Sequence, residues 1–208
     1  MIRLIMYFVW MFCSGLIAQN TLETDLQKAL NMWEENKISE AVKLLEAIVV
    51  SEHQDWLPSY YLGVIHVTEA FKNSQNKLLM ENHLKNAEKA SDLAFKLAPN
   101  EVEVMVIKAM VLTAWVVYDP MVNGQSLSPE IIAWYGKAEK LEPNNPRVYF
   151  KRAQFELGSA KFLGMSTKPM CEQIQKSIQL FDNFKPKSNI HPNWGKLEAL
   201  EFIAANCK

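Results

Sequence analysis

Small residues recur along this 208-residue chain at the spacings of a helical repeat. Ala29, Gly63, Ala109 and Ala153 lie 34, 46 and 44 residues apart. Ala41, Ala87 and Ile131 repeat the 46 and the 44, and Pro99 and Pro143 are again 44 apart. A period of several tens of residues is the sequence mark of stacked supersecondary units. Three independent sets of markers with the same offsets rarely arise by chance. Two antiparallel helices approach closely only where side chains are small, and proline stops a helix and turns the chain. A single hairpin cannot bury its own apolar face, so hairpins must stack on one another. Seven glycines and few β-turn signals also favour helices over a sandwich or barrel.

The segment Asn36-Lys37-Ile38-Ser39-Glu40-Ala41 resembles the middle of a tetratricopeptide hairpin, a polar turn followed by an amphipathic helix. Leu62-Gly63, the second small positions Ala94 and Ala138, the early large residues Met105 and Tyr149, and the closing phrases Leu97-Ala98-Pro99-Asn100 and Leu141-Glu142-Pro143-Asn144 carry the same resemblance. It implies an all-α, right-handed α-solenoid of about four hairpins, over residues 22–54, 55–100, 101–145 and 146–186, with a capping helix over 192–206. The family repeat is 34 residues, so spacings of 46 and 44 imply insertions of 12 and 10 between helix A and helix B. The first covers Lys72 to Glu81 and lengthens helix B. The second, Asp119 to Ser128, reads as a loop from its Pro, Asn and Gly, with Ser128 capping a helix that starts at Pro129.

The first eighteen residues read as a cleavable secretory signal: Arg3, an apolar run from Leu4 to Cys13, a break at Ser14-Gly15 and Ala18 before the cut. An uncleaved anchor is the alternative, although the run is short for a span of about 20 residues. Phe12 before Cys13 does not fit a lipoprotein signal. Cleavage places residues 19–208 in the periplasm or outside the cell, with no membrane insertion. Two cysteines then remain, Cys171 and Cys207. They are either a disulfide, as the oxidising compartment favours, or two small buried apolar groups.

Charge excludes some partners. With 22 Lys and Arg against 23 Asp and Glu, the chain has no basic stripe for nucleic acid. His53, His66, His83 and His191 show no recurrent metal-ligand spacing. His66 and Glu69 share a helix face, but such a pair is far more often a hydrogen-bonded structural histidine than a ligand set. No catalytic constellation, metal site or cofactor motif is present in the sequence.

The tetratricopeptide resemblance places helix A residues on a concave face. These are Leu26, Leu30 and Trp33; Tyr60, Val64 and Val67; Val106, Met110 and Thr113; and Phe150, Gln154 and Leu157. This face is apolar and lacks the cations that clamp a peptide carboxylate in chaperone-binding members. The expectation is a non-enzymatic scaffold that binds a protein or peptide through Trp33, Tyr60, Val64, Val67, Val106, Met110, Phe150 and Gln154, unless that face is covered core. Two alternatives stand beside it. One is a small-molecule binder or enzyme with a pocket under the 119–128 loop, lined by Trp115, Tyr118 and Trp134. The other is a structural subunit of an envelope complex.

Overall fold

A computed structural model describes residues 22–52 and 54–207; the leader expected over 1–18, with Cys13, lies outside the described residues. The architecture is all-α, and no strand occurs among the described residues. The helices are α1 (22–34), α2 (Ile38–Ser51), α3 (Leu57–Lys72), α4 (Lys77–Leu97), α5 (Val102–Tyr118), α6 (Pro120–Leu141), α7 (Pro146–Phe162), α8 (Lys168–Asn183) and α9 (Lys196–Asn206). Helix α3 packs on α4, α5 on α6 and α7 on α8, and the first helices of successive pairs, α3, α5 and α7, pack side by side.

Local chemistry sets the helix starts. The side chain of Asn76 accepts from the Leu79 amide at 3.1 Å and caps α4. Asn145 accepts from the Arg147 amide at 3.0 Å at the head of α7, where Pro146 has no N–H to satisfy. The repeat markers lie where helices cross: Ala29, Ala41, Ala87, Ala94, Ala109, Ile131, Ala138 and Ala153 are all buried. Gly63 marks the tightest crossing, since a Cβ there would stand 2.5 Å from Ile107 Cδ1 on α5.

The expected loop at 119–128 is helix. Asp119 caps it by accepting from the Val122 amide at 3.2 Å, and Pro120 opens α6. Pro129 lies inside α6 rather than at its start, and Ser128 bonds back to the Gly124 carbonyl instead of capping. The ten added residues therefore lengthen α6 by about 15 Å at 1.5 Å per residue. The last helix begins at Lys196, not Pro192, because Gly195 takes a left-handed conformation (φ 107°) that interrupts helix.

The core has two parts. The larger runs from α1 through α6 and includes Val148, Phe155 and Ile190. The smaller joins Phe150, Ala153 and Leu157 of α7 to Ile174, Ile178 and Phe181 of α8 and Ala199 of α9. Cys171 and Cys207 form a disulfide, with Cα atoms 5.7 Å apart, that fastens the end of α9 to α8.

Candidate functional site

The face expected to be an open groove is largely closed. Tyr60, Val64, Val67, Val106 and Phe150 are buried, so none of these five presents a surface to a partner. The segment 184–195 and α9 cover part of this face. Trp194 Nε1 donates to the Tyr60 hydroxyl at 2.9 Å, Tyr61 donates to the Ile190 carbonyl at 2.8 Å, and Phe202 meets the Phe150 ring edge-on. Beneath them Arg147 makes a two-pronged ion pair with Glu103, with both contacts at 2.7 Å. Asn145 and Tyr60 also donate to Glu103. Burial and then the Glu103 charge hold the Tyr60 phenol well above its ordinary pKa, so it stays neutral. Trp33 is half-buried against the first core and lies apart from the cleft described next.

What remains open is a cleft of about 1000 Å³, at the upper end of the usual size for small-molecule sites. Helix α7 lines it with Lys151, Gln154, Phe155, Gly158, Ser159 and Phe162, spaced at the i, i+3, i+4 intervals of one helix face. The lengthened start of α6 supplies Met121, Gly124, Gln125 and Ser128 at the same periodicity. Thr68 and Phe71 of α3 and Met110, Thr113, Val116 and Val117 of α5 complete the walls. Gly124 and Gly158 both line the cleft, and a Cβ at either would meet nothing within 4 Å. Of the eight residues expected to contact a partner, Met110 and Gln154 line this space.

The pocket expected beneath 119–128 thus exists, but its lining differs. Trp115 and Tyr118 pack on each other at 5.5 Å, and Trp134 packs edge-on against Phe95 at 5.1 Å. Helical periodicity turns the 121, 124, 125, 128 side of α6 to the cleft and leaves Trp134 on α4's side.

One polar patch interrupts the apolar lining. Lys151 Nζ lies 2.5 Å from a Glu198 carboxylate oxygen and 3.2 Å from Gln154 Oε1. The Tyr135 phenol sits beside Thr113 and within the field of Glu198, and burial above all raises its pKa. The mouth is apolar, with Val117, Met121, Phe162 and Leu163 of the lining exposed. No histidine lines the cleft, and no cluster of three or more metal-ligating side chains occurs among the described residues. Sequence reasoning missed Lys151 and Glu198. Lys151 was legible only as a cation among apolar helix A residues, one turn before Gln154.

No helix among the described residues is long and apolar enough to cross a membrane. The chain matches no protein-family model and no curated protein. Among solved structures it resembles the HusA haemophore from Porphyromonas gingivalis, with a TM-score of 0.71 at 22% identity, over 89% of this chain and 94% of that one. The likeness is one of fold, extending over nearly the whole of both chains.

Proposed function

We propose that this protein is an exported, non-enzymatic binder of a bulky amphiphilic small molecule of the tetrapyrrole class, held in the cleft between α3, α5, α6 and α7. The single observation that carries this reading is the cleft itself: large, apolar-walled, and interrupted by one convergent polar patch. The fold likeness to a haemophore supports it, because tetrapyrroles are flat, largely apolar and edged with carboxylates. The disulfide supports export, since such bonds persist in oxidising compartments. The stacked hairpins and their markers support a tetratricopeptide-type array, with its concave face given over to a ligand and to the chain's own C-terminal segment.

A second reading rests on the mouth. Met121, Phe162 and Leu163 line the cleft and are exposed, and exposed apolar patches mark protein contacts. In that reading a protein or peptide docks over the rim rather than in the closed groove.

Gly158 distinguishes the two. A Cβ there meets nothing within 4 Å, and leucine suits a helix better than glycine by up to about 1 kcal/mol. Haemin titrated into the wild type, followed by its Soret band and by tryptophan quenching, is expected to saturate at one equivalent. Gly158→Leu is expected to bind at least roughly tenfold more weakly, a loss of about 1.4 kcal/mol, with its melting temperature unchanged or raised. No saturable binding by the wild type, or equal binding by the variant, removes the cleft reading.

A further inference from the structure

We infer that the cleft selects ligands carrying a carboxylate, and that it does so by exchange: the ligand's carboxylate takes the place of Glu198 on Lys151. This rests on the small-molecule reading above and names the chemistry of the ligand's polar end.

The two partners of the Lys151–Glu198 pair are unequal. The Lys151 side chain is 5% exposed, whereas that of Glu198 is 45% exposed. Lys151 is fixed by more than its ion pair: its ammonium lies over the Phe150 ring at 4.8 Å and the Trp194 ring at 5.5 Å, with Gln154 at 3.2 Å. A buried ammonium needs an anionic or strongly polar partner at all times. Glu198 belongs to the first turn of α9, a helix that buries only Ala199, and its carboxylate can swing into water at little cost. An incoming carboxylate therefore replaces one anion by another on a cation that never loses its partner. A cationic ligand has no such route, because Lys151 cannot leave its site to free Glu198.

The surroundings suit a carboxylate head on an apolar body. Gln154 and Tyr135 line the cleft and bring N–H and O–H donors, and burial keeps the Tyr135 phenol protonated. From Lys151 the lining of α7 runs through Phe155 and Gly158 to Phe162, eleven residues or roughly 16 Å away along the helix, ending at the exposed apolar mouth. The cleft's other lysine, Lys72, is exposed and paired with Glu69 at 2.8 Å, and such water-screened pairs contribute little.

The test uses protoporphyrin IX and its dimethyl ester, which share a ring and differ in whether the carboxylates are free. Wild type, Glu198→Gln and Lys151→Met are titrated with each at neutral pH, with folding checked by circular dichroism. The wild type is expected to prefer the free acid. Glu198→Gln removes the competing anion and is expected to bind the acid roughly tenfold more tightly, with the ester unchanged. Lys151→Met is expected to bind the acid roughly tenfold more weakly, again with the ester unchanged. If Lys151→Met does not fold, the exposed Glu198→Gln variant decides alone. An acid-to-ester ratio in Glu198→Gln equal to that of the wild type overturns the exchange while leaving the cleft as a binding site. Failure of the wild type to bind either compound overturns the small-molecule reading and the exchange with it.

Discussion

Arg147 is the residue on which most of the molecule converges. It is fully buried, holds Glu103 of α5 in two short contacts, donates to the Trp194 carbonyl at 3.3 Å, and lies under the Phe184 ring at 4.4 Å. Burial, the largest single influence, would lower its pKa, but the Glu103 charge and hydrogen bonds, with Tyr60 and Tyr61, together hold it above the ordinary value, so Arg147 stays charged. Arg147→Met would leave Glu103 buried without its counter-charge, a loss of about 3–5 kcal/mol. Arg147→Met with Glu103→Leu removes both charges and is expected to recover a good part of that loss. Urea denaturation of the three proteins measures it; a double variant no more stable than the single one would mean that the packing of the arginine stem, not the charge, holds the node. Neither residue stood out in the sequence. Their separation of 44 residues is the repeat spacing itself, so opposite charges occupy the same register of successive hairpins, and that coincidence was the available signal.

At the scale of elements, periodicity predicted well and local turn chemistry did not. The small residues at 34, 46 and 44 spacings located the helix crossings because close packing leaves no choice at those positions. The stretch from Asp119 to Ser128 misled because Pro, Asn and Gly are turn residues only when the backbone lacks a better use for them. Here Asp119 and Pro120 start a helix and Asn123 donates to the Trp115 carbonyl at 2.7 Å, so the same residues extend α6 and build a cleft wall. Helix α9 is the element most dependent on a single bond. It buries one residue and is otherwise held by the disulfide, the Phe202–Phe150 contact and ion pairs such as Lys196–Asp182. The bond spans 36 residues, and closing such a loop contributes roughly 3–4 kcal/mol on chain-entropy grounds. Cys171→Ser with Cys207→Ser is therefore expected to release α9 before the rest of the fold. Hydrogen exchange would show this as lost protection in 196–206 with α3 and α5 still protected; uniform loss across all helices would mean that α9 is integral to the core.

At the scale of the whole molecule, an apolar stripe on helix A did not say whether it faced water, because a groove and a core read alike in sequence. The structure divides the stripe: most of it is buried, in part under the C-terminal segment, and Met110, Thr113 and Gln154 line the cleft. Burial also gives the fold a dependence on pH. His66 and His83 join α3 to α4 with their Nδ1 atoms 3.1 Å apart, a contact that requires one ring to donate and the other to accept. Burial first, and His83 second, lower the His66 pKa to about 4, with Glu69 opposing. The folded chain thus resists a proton that the unfolded chain accepts near pH 6.5. Stability from this site is complete above about pH 6.5 and is lost as pH falls through 4, to a limit of roughly 3 kcal/mol. His191 works in the same direction: burial and then Lys187 lower its pKa. His66→Gln keeps a polar side chain but cannot take up the proton. Between pH 7 and pH 4.5 the wild-type melting temperature is expected to fall roughly 5 °C further than that of the variant. Parallel curves would mean that the α3–α4 pair accepts the proton without strain, and that acid lability, if present, enters through the carboxylates.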